Sequence, residues 1–124
     1  MPGKGRPYRT VVAEGFEILV GRGDEENDVL TFEVAAPEDF WLHVAGGTAG
    51  SHVVVRNPEG LDALPPAVLQ QAAELAARHS KATPGRRAEV HVCRVADVQK
   101  RRGSPAGEVH LRRWTGVRVT VPGR

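Results

Sequence analysis

The chain has 124 residues, 40% hydrophobic and 26% charged, with a formal net charge of +2. That length accommodates one core and one domain. No apolar run nears the roughly 20 residues that a membrane-spanning helix requires, the N-terminal charges are followed by no apolar stretch that would read as a secretory signal, and the single cysteine, Cys93, suits a reducing cytoplasm.

Residues 1–7 hold two glycines, two prolines and two cations and read as a disordered basic tail, with a single domain over 8–122. Segments 9–13 and 16–20 read as strands joined by a turn at Glu14-Gly15. A polar loop over 21–27 leads into the apolar run 29–35, where residue types favour a strand. The apolar positions 29, 30, 32 and 34 fit neither period, and the acidic residues just before them suit a helix N-terminus. Pro37 ends this element. Two strands follow, carrying Asp39 to His43 and Ser51 to Arg56, joined by a glycine-rich connection. On an extended chain Phe40, Leu42 and Val44 share one face and Trp41 and His43 the other; Val53 and Val55 lie opposite His52, Val54 and Arg56. The clearest helix runs from Pro66 to Ser80, with Val68, Leu69, Ala72, Leu75 and Ala76 on its apolar face. Strands are expected over 89–95, 108–112 and 116–121, with an exposed basic loop over 100–107. Cys93 alternates within a strand and reads as a buried structural thiol.

The distribution of charge is lopsided. Residues 1–77 hold 5 Lys/Arg and 12 Asp/Glu, whereas residues 78–124 hold 12 and 3. Of the 17 cations 14 are arginine, whose planar fork matches phosphate and stacks on bases better than lysine does. The clusters Lys100-Arg101-Arg102 and Arg112-Arg113 read as a phosphate-binding surface.

Three motifs stand out: Asn27-Asp28, then Asp39-x-Trp41-x-His43, then Gly50-Ser51-His52-Val53. In this order they resemble the NFACT-R domain, the C-terminal module of NFACT ribosome quality-control proteins. Arg22 between two glycines, the small-residue helix through Ala72-Ala73 to Ser80, and Lys100 with Gly107 extend the likeness across nearly the whole chain. Gly23 stands where that family usually has Asn, and Ala49 and Ala106 where it usually has Pro. The resemblance favours a helix over 28–35, giving the order ββαββαβββ: an α+β fold, a largely antiparallel sheet covered by two helices. It also implies binding of tRNA or rRNA, beside the ribosome or a tRNA-modifying enzyme in the cytoplasm. The full-length relatives carry further domains, so this chain is not expected to recruit an aminoacyl-tRNA and extend a nascent chain by itself.

On this reading Trp41 and His43 offer rings for stacking. Arg22, Arg56, Lys100, Arg101, Arg102, Arg112 and Arg113 meet phosphate or sugar, and Asn27, Asp28, Asp39, Ser51 and His52 complete the RNA site. Neither a cofactor nor a resident metal is expected. The alternative for Trp41 is a place in the core, and for Asn27-Asp28 a helix cap. Asp39, His43, Ser51 and His52 also contain the residue types of a hydrolase or of an RNA-modification accessory enzyme, and Asp39, His43 and His52 those of a metal site. Ser51 and His52 nevertheless point to opposite faces. A third alternative is a protein-interaction module, docking on a ribosome-associated partner through the two halves of opposite charge.

Overall fold

The computed structural model describes residues 6–123, so the tail expected over 1–7 falls mostly outside the described residues. Strands β1 (Tyr8–Ala13) and β2 (Phe16–Gly21) form a hairpin through Glu14 and Gly15, both at positive φ as in a type I′ turn. With β3 (Phe40–Val44), β4 (Val53–Val55), β5 (Arg87–Arg94) and β8 (Thr115–Thr120) they make one antiparallel sheet, in the order β1-β2-β4-β3-β5-β8. The strand at 89–95 thus begins two residues earlier than expected. The one at 108–112 shrinks to β7 (His110–Leu111), which pairs outside the main sheet with β6 (Val98–Gln99), a strand the sequence had not signalled.

The alternation read from the sequence sorts the core into two layers. Helix α2 (Pro66–Arg78) lays Val68, Ala72, Ala73 and Ala76 on Ile18, Phe40, Leu42, Val53, Val55 and Val90. On the opposite face Leu19, Trp41, Val54 and Cys93 pack with Leu30, Val95 and Val98. Both faces of β4 are therefore covered, which is why its three valines are all buried.

The second cover is where the expectation needs correcting. Helix α1 spans Asp24–Val29, so most of the acidic stretch read as a loop is helix, with Asp24, Glu25 and Glu26 in its first turn where the helix dipole favours them. It runs on into a π-helical turn, Leu30–Val34, in which the amide of Ala35 reaches the carbonyl of Leu30 at 2.9 Å. The wider turn buries the neighbours Leu30 and Thr31 together and leaves Phe32 exposed. An insertion of this kind explains why the apolar spacing matched neither period.

Candidate nucleic-acid interface

The pairing of Trp41 with Val54 and of Leu42 with Val53 sets the motif strands side by side. Trp41 and His43 stack with ring centroids 5.8 Å apart, and His52 stands edge-on to both, at 5.0 and 5.5 Å. Thr31 enters from the π-turn: its hydroxyl lies 3.2 Å from the Trp41 indole nitrogen and 2.8 Å from His52 Nδ1. His52 Nε2 lies 3.2 Å from the Gly107 carbonyl. A carbonyl only accepts, so Nε2 carries the proton. Nδ1 then accepts from Thr31, whose oxygen accepts in turn from Trp41, and the chain of bonds has one direction. Burial, reinforced by the charge of a protonated His43, depresses the His52 pKa to about 4 and keeps this ring neutral. Burial lowers that of His43 too, against hydrogen bonds with the backbone of Gly50 and Val44.

Asn27 and Asp28 tie the helix to the rest. The buried Asn27 amide accepts from the His52 backbone N–H at 3.1 Å and donates to the Gly50 carbonyl at 3.3 Å. A methyl group at Gly21 would collide with the Asn27 Oδ1, so the glycine makes room for this bridge. Asp28 accepts from the Gly107 amide at 3.2 Å and pairs with Lys100 at 3.1 Å. The Lys100 ammonium also donates to the carbonyls of Pro105 and Glu108, at 2.6 and 2.9 Å. The basic loop is thereby clipped at its base. Gly107 takes φ +84°, and a Cβ there would press on Asp24.

Several expected roles change. Trp41 is buried, which is the core reading, and only an edge of it reaches the cleft beside the motif. Asn27 and Asp28 do not cap a helix but bridge elements distant in sequence. Lys100 spends its ammonium on the loop. Arg56 pairs with Asp39 at 3.0 Å, and Asp39 also accepts from the amides of Asn57 and Ala36, at 2.8 and 2.9 Å. Asp39 immediately precedes β3 and lies four residues from His43, about 13 Å at strand rise, so the two cannot share a metal or a proton relay. Ser51 donates to the Gly21 carbonyl at 2.7 Å and has no imidazole as a base. Among the described residues no three His, Cys, Asp or Glu are placed to hold a metal ion. Cys93 is buried, with its pKa pushed up to about 12 by that burial and by Asp97, in keeping with a structural thiol.

What stays open to solvent is arginine. Arg22, Arg101, Arg102 and Arg112 are exposed, and no described residue pairs with their side chains; Arg113 makes only a 3.8 Å approach to Asp97. A cleft of about 400 Å³ opens beside the motif, lined by Trp41, His43, His52, His91, Gly107 and the turn through Gly46-Gly47. Its charged lining residues, Asp24 and Glu108, are acidic. Arginines and motif cleft are thus electrostatically distinct. Thr31, the hub of the buried chain, had escaped sequence reasoning; its one signal was a polar residue inside an apolar run of irregular period.

An antiparallel sheet with a helix on one face and an arginine-bearing loop clipped to the other defines a small α+β domain that presents surfaces rather than one enclosed cavity. Residues 6–113 match the family described as the NFACT protein RNA binding domain, and the chain belongs to that family. It is 34% identical over 111 residues to the Rqc2 homolog RqcH of Bacillus subtilis, covering 86% of this chain and 19% of that protein. With the Rqc2 homolog RqcH of Streptococcus suis the identity is 36% over 118 residues, covering 93% and 20%. The chain thus spans about a fifth of the length of these curated relatives. Among solved structures, the C-terminal part of the fibronectin/fibrinogen-binding protein from Streptococcus suis superposes with a TM-score of 0.83 at 34% identity, over 95% of this chain and 46% of that one.

Proposed function

We propose that this domain binds tRNA or rRNA in the cytoplasm, in the setting of ribosome quality control or tRNA metabolism, alongside the ribosome or a tRNA-modifying enzyme. The observation that carries the reading is the set of unpaired guanidinium groups at Arg101, Arg102 and Arg112, the first two on a loop that Lys100 holds in place. Such cations neutralise phosphates without regard to sequence. Arg22 and Arg113 are further exposed arginines that can meet phosphate. The motif cleft takes a different part of the ligand. Its neutral imidazoles at His43 and His52 and the carboxylates of Asp24 and Glu108 suit hydroxyl or amino donors, such as a ribose 2′-OH or a base edge, better than phosphate. Membership of a family described as an RNA binding domain, and likeness to the Rqc2 homologs, support RNA as the ligand.

Crosslinking in cells followed by sequencing of the bound RNA tests it. Enrichment of particular tRNAs or of one rRNA region is expected, lost in the Arg101→Ala/Arg102→Ala protein. In vitro that pair should weaken binding across all sequences and lower the slope of log K against log salt by about 1.4–1.8. Background recovery with the folded wild-type protein would reject the proposal.

A further inference from the structure

With Trp41 enclosed, the exposed tryptophan is Trp114. It is 51% exposed, stands immediately before β8 and follows Arg112 and Arg113. It lies one residue beyond the stretch matched by the family description, 6–113. Its ring is 5.3 Å from that of His91, and it lines a second cleft of about 420 Å³, a size typical of small-ligand sites. Phe40, Leu69 and Val92 give this cleft apolar walls. Arg94 also lines it as an immobilised cation, its guanidinium 4.4 Å from the centre of the Phe40 ring and hydrogen-bonded to the carbonyls of Glu38, Leu61 and Asp62. Arg113, 78% exposed on its side chain and loosely placed near Asp97, is free to turn outward.

We infer that Trp114 and this cleft receive an unpaired nucleobase of the RNA, with Arg112 and Arg113 on the adjoining phosphates. The inference rests on the RNA-binding reading above and adds a site to it. A flat ring beside apolar walls supplies stacking without base selectivity, and the neighbouring arginines match the charge of the strand on either side of the stacked base. The carboxylates of Asp62 and Asp97, also in the lining, are acceptors for the amino group of a base edge. A base held in a duplex is not available to this site, so the site selects single strands, loops or ends.

The two tryptophans make the test direct. The full chain is titrated with a short single-stranded homopolymer RNA and with a duplex of the same length, following tryptophan emission and, separately, the anisotropy of labelled RNA. Wild-type emission should be quenched by the single strand. Trp114→Phe, which leaves only buried Trp41 emitting, should lose the quenching and keep affinity within a few-fold. Trp114→Ala should lose about 5- to 150-fold in single-strand affinity, the range of one stacked base, and little on duplex. Trp41 emission verifies that each variant is folded. Unchanged single-strand affinity in Trp114→Ala would overturn this inference and leave the RNA reading standing. Absence of any RNA binding by the wild-type protein would remove both.

Discussion

Beneath α1 and its π-turn, Asn27, Thr31, Trp41 and His52 are buried, and no buried side-chain polar atom among the described residues lacks a partner. Along the loop from Lys100 and on the approach to β8, Arg101, Arg102, Arg112 and Trp114 are exposed, and none of these guanidinium groups is paired. The residue types that suggest chemistry are thus largely consumed in building the first region. The second region, whose sequence looks merely basic, keeps its groups free for a ligand. Recognition needs unspent donors and rings, whereas a buried polar network is stable only when nothing in it is left over.

The comparison breaks most visibly at Trp41. Truncation to alanine removes a large buried ring and the donor to Thr31, and should cost about 3–5 kcal/mol in denaturant unfolding. Arg101→Ala/Arg102→Ala should leave the melting temperature unchanged while RNA affinity falls. A Trp41→Ala protein of wild-type stability would show that the two regions had been confused.

Acid tests the same buried layer. Above pH 6.5 His52 is neutral in both the folded and unfolded chain and costs nothing. As the pH falls, the unfolded chain takes up a proton that the folded ring, at about 4, refuses. Stability should decline from pH 6.5 toward 4 and lose at most about 3 kcal/mol through this residue. His43, lowered in the same direction, adds to the decline. Urea midpoints at pH 7 and 4.5 should converge more for His52→Gln than for the wild type; an identical drop in both proteins would assign the acid sensitivity to other groups.

A smaller effect should come from the contact that joins the regions. Gly107→Ala forces a side chain into φ +84° beside Asp24, costing about 1–2 kcal/mol. Because Gly107 seats the basic loop, RNA affinity should fall with it. Wild-type affinity would mean that the arginines act without a fixed loop.

Strand alternation placed Phe40 and Leu42 against one layer and Trp41 against the other correctly, because period-2 patterning needs no knowledge of distant partners. Helix α2 was equally plain from its small apolar stripe. The strand Val98–Gln99 was not visible, since two residues carry no period and owe their pairing to Leu111 and His110. The π-turn hid for a related reason: its extra residue breaks the repeat that would announce a helix. At the site, residue order identified Asn27, Asp28, His52, Lys100 and Gly107 as belonging together. Their roles could not be read, because whether a side chain is offered or spent depends on burial and on partners 23 to 79 residues away.

The bonds from Gly107 to His52 and Asp28 span 55 and 79 residues. A chain emerging from its N-terminus exposes the Asn-Asp pair, both motif strands and α2 long before their last acceptor is made. Until residue 107 arrives, the His52 ring lacks the carbonyl that sets its tautomer and Asp28 lacks the Gly107 amide. Closure of this small domain is therefore a late event in its own synthesis, and the loop that presents Arg101 and Arg102 acquires its anchored form only once residues 107 and 108 are in place.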